Sequence, residues 1–184
     1  MKNLPLGTVT IVGLGLIGGS FALGLKANRL CREVVGVSRS EATLAKGLEL
    51  GVIDRAEPDV EKAVRGADLV MLAAPIGTTE ALLRKMAPAL DGTTIVTDAG
   101  SVKGNVAAAA KAVFGGVPSW FVPGHPIAGS ERSGVEAAKV DLYRNHKVIL
   151  TPDNATDPAA LRVVQRLWQA MGADVLLMDV PQHD

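Results

Sequence analysis

The feature that most constrains this chain is a glycine-rich turn placed directly between a short apolar run and a helical pattern. Val9 to Val12 form the run, and Gly13-Leu14-Gly15-Leu16-Ile17-Gly18 follow at once. In such turns the first glycine lets the strand reverse, the second lets backbone N–H groups approach a pyrophosphate, and the third lets the helix pack close to the sheet. The helix N-terminus then faces the phosphates. The sequence therefore predicts a dinucleotide site, with contacts from Gly13, Gly15, Leu16, Ile17 and Gly18.

Strand-like and helix-like segments alternate along the rest of the chain, which predicts a doubly wound, mostly parallel α/β sheet. Expected strands are Thr8 to Val12, Val34 to Val37, Leu69 to Ala73, Thr94 to Thr97 and Trp120 to Pro123. Expected helices are Ile17 to Lys26, Glu41 to Leu50, Thr78 to Leu90 and Lys103 to Val113. A helical patch at Gly134 to Leu142, strands at Val148 to Leu150 and Val175 to Met178, and a helix at Pro158 to Met171 are expected to extend the same sheet. We interpret residues 1–184 as one dinucleotide-binding domain, because this length leaves no room for a second full domain.

Composition and charge exclude several classes of partner. Lys plus Arg and Asp plus Glu number 19 each, so the chain has no bulk positive field for nucleic acid or an anionic membrane. No apolar run approaches the length of a bilayer span, and glycines interrupt the apolar start, which favours a cytoplasmic protein over a secreted one. No Cys, His and carboxylate cluster has metal-ligand spacing, so we predict no metal site.

The end of the second strand predicts which dinucleotide is bound. An acidic residue about 20 positions after the glycine motif normally binds the ribose hydroxyls of NAD, but Ser38 stands there and Arg39 and Ser40 follow. A guanidinium and hydroxyls suit a 2′-phosphate, which favours NADP. Stacking of Arg39 on adenine, or a solvated arginine, would leave NAD as the cofactor.

Two further strands end in segments that would meet at the same edge of the sheet. Ala74 and Pro75 follow the third strand and are expected to line the nicotinamide side. Asp98 to Lys103 follow the fourth, where Ser101 is expected to cap a helix and Lys103 to point outward. A capping role and a catalytic role for Ser101 do not exclude each other.

His125 is the strongest chemical candidate. It lies between Gly124 and Pro126, expected at another strand end, where an imidazole can accept a proton near neutral pH. A structural role is the alternative for any single histidine. His146 and His183 lack such a setting in the sequence.

Several motifs together resemble the prephenate, arogenate or cyclohexadienyl dehydrogenases of tyrosine biosynthesis. The resemblance covers the whole chain and rests on residues 12–20, 98–103, 124–134 and 147–152 and on the terminal His183-Asp184. It implies oxidative decarboxylation of prephenate or arogenate, with hydride transfer to NADP or NAD. It also implies that His125 contacts the C4 hydroxyl of the substrate, that Ser101 positions this group, and that Glu131 and Ser133 lie at the active-site rim.

The resemblance also sets an expectation for what lies outside this sequence. Members of the family continue into a helical C-terminal domain that forms a homodimer and binds the substrate carboxylates, and this chain ends where that domain would begin. A β-hydroxyacid or imine reductase remains an alternative, because such enzymes share the opening motif. A non-catalytic nucleotide-sensing module is an alternative from another class.

Overall fold

The structure is a computed structural model that describes residues 2–184. Within these residues there are nine strands: β1 (Leu6–Val12), β2 (Cys31–Val37), β3 (Arg55–Ala56), β4 (Leu69–Leu72), β5 (Ile95–Asp98), β6 (Phe121–Val122), β7 (Gly124–Pro126), β8 (Lys147–Leu150) and β9 (Asp174–Leu177). The α-helices are α1 (Leu16–Ala27), α2 (Glu41–Glu49), α3 (Val60–Val64), α4 (Thr79–Met86), α5 (Lys103–Phe114), α6 (Pro158–Ala170) and α7 (Val180–His183). Short 3₁₀ turns lie at Ile76–Thr78, Ala87–Ala89 and Val135–Ala137. None of the helices in residues 2–184 combines the length and hydropathy needed to cross a membrane.

The first six strands form one sheet in the order β3-β2-β1-β4-β5-β6, and all its pairs are parallel. The order reverses at β1, whose neighbours are β2 and β4, so the carboxyl ends of these strands border a crevice. Apolar side chains cover both faces, in two clusters that include Phe21 on one side and Phe121 on the other. The predicted doubly wound α/β sheet is therefore confirmed.

The last strands do not extend that sheet, so this part of the prediction was wrong. β7, β8 and β9 form a separate three-stranded sheet, in which β7 runs antiparallel to β8 and β8 runs parallel to β9. The chain leaves the main sheet at Pro123, between β6 and β7. His125 consequently lies within a short strand of the second sheet rather than at the end of a strand of the first.

Packing of α6 against α1 joins the second sheet to the main one. Trp168 on α6 is fully buried, with its ring centroid 4.9 Å from that of Phe21 and 4.8 Å from that of Tyr143. The Tyr143 hydroxyl donates a hydrogen bond of 2.6 Å to the carbonyl of Ile17, in the first turn of α1. These contacts pack the later part of the chain against α1, the helix that follows the glycine turn.

Two predicted helices are shorter than expected. The segment predicted as helical at Gly134 to Leu142 forms only the 3₁₀ turn Val135–Ala137, because Gly134 has a φ of +86° and the Lys139 amide donates to the Ser20 hydroxyl instead of to its own turn. The helix predicted at Thr78 to Leu90 is regular only over α4, and the 3₁₀ turn at its end contains Pro88, which lacks the N–H needed to continue an α-helix.

Candidate functional site

The glycine turn between β1 and α1 has the shape that a dinucleotide pyrophosphate requires. Gly13 has a φ of +102°, and a Cβ there would come within 2.6 Å of the backbone of Ala73. A Cβ on Gly18 would lie 2.1 Å from the carbonyl oxygen of Gly13, whereas one on Gly15 would meet nothing within 4 Å. Gly15 thus leaves an open approach to the start of α1, which begins at Leu16 with no side-chain cap and no acidic residue in its first turn. An uncompensated helix N-terminus beside an open backbone fits a phosphate.

A cleft of about 880 Å³ extends from this turn across the ends of β2 and β4. Its lining includes Gly13, Ser38, Arg39, Ala74 and Pro75, so five of the residues predicted from sequence to bind cofactor share one wall. Its size suits the adenosine half of a dinucleotide.

Charged and hydroxyl groups at the end of β2 define one side of the cleft. Arg39 is exposed, and no residue among 2–184 forms an ion pair with it. The Ser38 hydroxyl accepts a hydrogen bond of 3.1 Å from the Ser40 amide, and the Ser40 hydroxyl caps α2 by accepting from the Thr43 amide at 3.1 Å. The carboxylate of Asp59 also lines the cleft, but it already caps α3. Among the described residues, Arg39 is therefore a cation without an ion-pair partner at the end of β2, and Lys85 of α4 is a further cation in the lining of the cleft.

A buried ion pair joins the segment that carries Ser101 to the strand that carries His125. Asp98, at the end of β5, is 2% exposed, and Lys103, the first residue of α5, is fully buried. The Lys103 ammonium donates to the Asp98 carboxylate and, at 2.5 Å, to the carbonyl of Gly124. The same carboxylate accepts the Gly124 amide at 3.0 Å and the Gly100 amide at 2.9 Å. These bonds fix the backbone immediately before Ser101 and His125.

This arrangement corrects two expectations about the start of α5. Lys103 does not point outward, because its ammonium has partners on two other segments inside the protein. Ser101 is not the helix cap, since Val102 occupies that position without a side-chain hydrogen bond. The Asp184 carboxylate takes the capping role from a distance, accepting the Lys103 amide at 3.1 Å and the Gly104 amide at 2.7 Å.

His125 is paired with a second histidine. Its Nδ1 lies 2.8 Å from Nε2 of His183, and Nδ1 of His183 lies 2.6 Å from the Asp184 carboxylate. Burial lowers the pKa of His125, and the neighbouring His183 and Lys103 lower it further. His125 is therefore held neutral at ordinary pH, as a proton acceptor requires.

The remaining predicted residues lie outside this cluster. Glu131 and Ser133 are exposed in the segment after β7, and within residues 2–184 no hydrogen bond joins either of them to Ser101 or His125. Ser101 is exposed, and within residues 2–184 no hydrogen bond joins it to His125. The structure thus brings Gly13, Ser38, Arg39, Ala74 and Pro75 to one cleft and His125 to a separate cluster with His183, and within the described residues it does not join Ser101, Glu131 or Ser133 to either.

Comparison with known proteins identifies the family. The family model for the nucleotide-binding domain of prephenate dehydrogenase matches residues 21–177. The chain belongs to this family. Prephenate dehydrogenase of Bacillus subtilis is 37% identical over 180 residues, which are 96% of this chain and 48% of the relative. Cyclohexadienyl dehydrogenase of Zymomonas mobilis is 37% identical over 179 residues, covering 96% of this chain and 59% of the relative.

A solved structure supports the same assignment. Prephenate dehydrogenase of Aquifex aeolicus in complex with hydroxyphenyl propionate and NAD+ superposes with a TM-score of 0.90 and 36% identity, covering 99% of this chain and 63% of the other. The chain spans about half the length of the curated relatives it matches.

Four groups of the site were not predicted from the sequence: Asp98 and Lys103 as a buried pair, and His183 and Asp184 as partners of His125. Asp98 and Lys103 carried a usable signal, because a Lys at a helix start five residues after a strand-end Asp can fold back onto it. His183 and Asp184 belong to the motifs that carry the family resemblance, but nothing in the sequence indicated the contact of His183 with His125, which spans 58 positions.

Proposed function

We propose that this domain is the nucleotide-binding and proton-accepting half of a dehydrogenase in tyrosine biosynthesis. The reaction is the oxidative decarboxylation of prephenate to 4-hydroxyphenylpyruvate, or of arogenate to tyrosine. The observation that carries the proposal is a half-buried His125 of lowered pKa, fixed through Asp98 and Lys103 to the edge of the sheet where the glycine turn opens. Membership of the family supports the choice of substrate class.

His125 and Ser101 have complementary roles in this proposal. A nicotinamide, when bound, supplies the acceptor for the hydride that leaves C4 of the ring. His125 accepts the proton of the C4 hydroxyl, which strengthens the push of electrons toward the departing hydride. Ser101, an exposed residue in the segment between the buried Asp98 and Lys103, orients the same group. Glu131 and Ser133 border the entrance for the substrate.

We further propose that the cofactor is NADP rather than NAD. Arg39 and Ser38 line the cleft, no residue among 2–184 forms an ion pair with Arg39, and Ser40 follows it in the sequence. Replacing Arg39 by alanine is expected to weaken NADPH binding about tenfold or more, because a charge-assisted hydrogen bond to a phosphate contributes about 1.5–3 kcal/mol. NADH binding should change little. Titration followed by nicotinamide fluorescence measures both affinities.

Arg32 supplies the matched control for this measurement. It is exposed near the other end of β2, away from the cleft, so Arg32→Ala should leave both affinities unchanged. Equal losses of NADPH and NADH affinity in Arg39→Ala would instead assign Arg39 to adenine stacking and contradict the NADP proposal.

We also propose that the clamp for the substrate carboxylates lies in the part of the longer relatives that this domain does not match. We propose separately that the full-length enzyme is a cytoplasmic homodimer. The 184-residue chain is expected to bind NADPH but to reduce NADP with prephenate or arogenate at least about a hundredfold more slowly than a full-length relative, because an unclamped substrate loses its positioning. Absorbance at 340 nm measures both rates, and equal rates would refute the expectation.

A further inference from the structure

Three side chains form a continuous hydrogen-bonded row that ends at His125. The row runs from the Asp184 carboxylate to Nδ1 of His183 at 2.6 Å, and from Nε2 of His183 to Nδ1 of His125 at 2.8 Å. The side chain of His183 is 5% exposed, so water does not compete freely for these bonds. The order of the atoms along the row determines where each proton lies.

Asp184 anchors one end of the row. Its carboxylate accepts the amides of Lys103 and Gly104 as well as the ring of His183, and the bond from His183 is the main cause of its lowered pKa. An ionised carboxylate only accepts hydrogen bonds, so Nδ1 of His183 carries a proton. When both rings are neutral, each imidazole has one N–H, and Nε2 of His183 then presents a lone pair.

The hydrogen bond to His183 determines the tautomer of His125. Because Nε2 of His183 accepts, Nδ1 of His125 must donate, and Nδ1 then carries the single proton of the neutral ring. Nε2 of His125 is left with a lone pair, and within residues 2–184 it has no hydrogen-bond partner. That nitrogen is the one able to accept a proton from a substrate.

We propose that His183 and Asp184 are positioning residues that hold His125 in its Nδ1–H tautomer, so that Nε2 is the base of the site. The identity of the proton donor rests on the proposed function, but the tautomer does not. In the base step the substrate O–H bond breaks and an N–H bond forms at Nε2 of His125. The resulting imidazolium donates its Nδ1 proton toward His183, and the carboxylate of Asp184 stabilises the positive charge of the pair.

Nuclear magnetic resonance tests the tautomer directly on the 184-residue chain without substrate. Long-range ¹H–¹⁵N correlation spectra at a pH where the histidines are neutral distinguish a protonated Nδ1 from a protonated Nε2. The expected spectrum of the unchanged protein shows His125 with its proton on Nδ1. A proton on Nε2 of His125 would overturn the proposal, whatever the variants do.

Replacement of His183 by phenylalanine removes the acceptor while keeping a planar ring. The Nε2–H form of His125 should then become the main species, because nothing holds the proton on Nδ1. Asp184→Ala, which removes the anchor of the row, should shift the populations in the same direction. His146→Phe is the matched control, since His146 is exposed and contacts only the Arg144 carbonyl through its ring, and it should leave the His125 tautomer unchanged. An unchanged tautomer in both His183→Phe and Asp184→Ala contradicts the proposal.

Turnover measurements separate this inference from the proposed function. A His125 with its proton on Nδ1 in a protein that oxidises neither prephenate nor arogenate would refute the function and keep the tautomer. Turnover by a protein whose His125 carries the proton on Nε2 would keep the function and refute the role of His183.

Discussion

Replacing Lys103 by methionine is expected to lower the free energy of unfolding by about 3–5 kcal/mol, because it leaves the Asp98 carboxylate buried without its counter-ion. Lys103 is fully buried and Asp98 is 2% exposed, so water cannot replace the lost ammonium. The carbonyl of Gly124 also loses a donor. Urea unfolding of the 184-residue chain, followed by circular dichroism, measures the change.

Lys111 supplies the matched control on the same helix. It is exposed near the end of α5, so Lys111→Met should change the unfolding free energy by less than about 0.5 kcal/mol. Adding Asp98→Asn to Lys103→Met should restore part of the loss, since a neutral amide costs less to bury than an unpaired carboxylate. Equal stabilities of Lys103→Met and Lys111→Met would show that the buried pair does not hold these segments together.

Elements with a strong local pattern could be predicted from the sequence, and elements that depend on distant partners could not. The strands β1 and β4, the helix α1 and the capped helix α6 were predicted to within two residues at each end, because apolar periodicity and turn residues define them locally. The two-residue strand β3 and the five-residue helix α3 were missed, because segments this short are too short to show a repeating apolar pattern. The separate second sheet was also missed. The antiparallel pairing of β7 with β8 joins segments more than 20 residues apart, and no pattern within either segment indicates the pairing.

The residues of the site also fall into two groups: some could be predicted from their place after a strand, and others depend on distant partners. Gly13 and Ser38 could be placed on the cleft from their positions after two strands, because the carboxyl ends of parallel strands meet at one edge. Lys103 was expected at the surface, as most lysines are; the spacing to Asp98 was a usable signal for their pairing, but nothing in the sequence indicated the Gly124 carbonyl, which comes from another segment. The pairing of His125 with His183 likewise depends on the whole fold.

Replacing His125 by asparagine is expected to lower kcat for prephenate or arogenate by about 10²–10⁴-fold, which is the usual contribution of a positioned general base. Asparagine can still donate a hydrogen bond toward His183 but cannot accept a proton from a hydroxyl near neutral pH. The affinity for NADPH should change by less than about twofold, because His125 does not line the cleft. Steady-state rates at 340 nm in a full-length form, with fluorescence titration of NADPH on the same variant, measure the two effects separately.

The pH dependence of kcat/KM adds a signature that misfolding of His125→Asn could not imitate. The base must be neutral, so the rate of the unchanged enzyme rises with pH until His125 is deprotonated. Burial and the neighbouring His183 and Lys103 lower the pKa of His125, which places this rise below the usual histidine value of about 6.5. The rise should vanish in His125→Asn and persist in His146→Asn, where an exposed histidine is removed. A rise that survives in His125→Asn, or an unchanged kcat, would assign the proton to another group, whereas absence of turnover in the unchanged full-length protein would favour a nucleotide-sensing module over an enzyme.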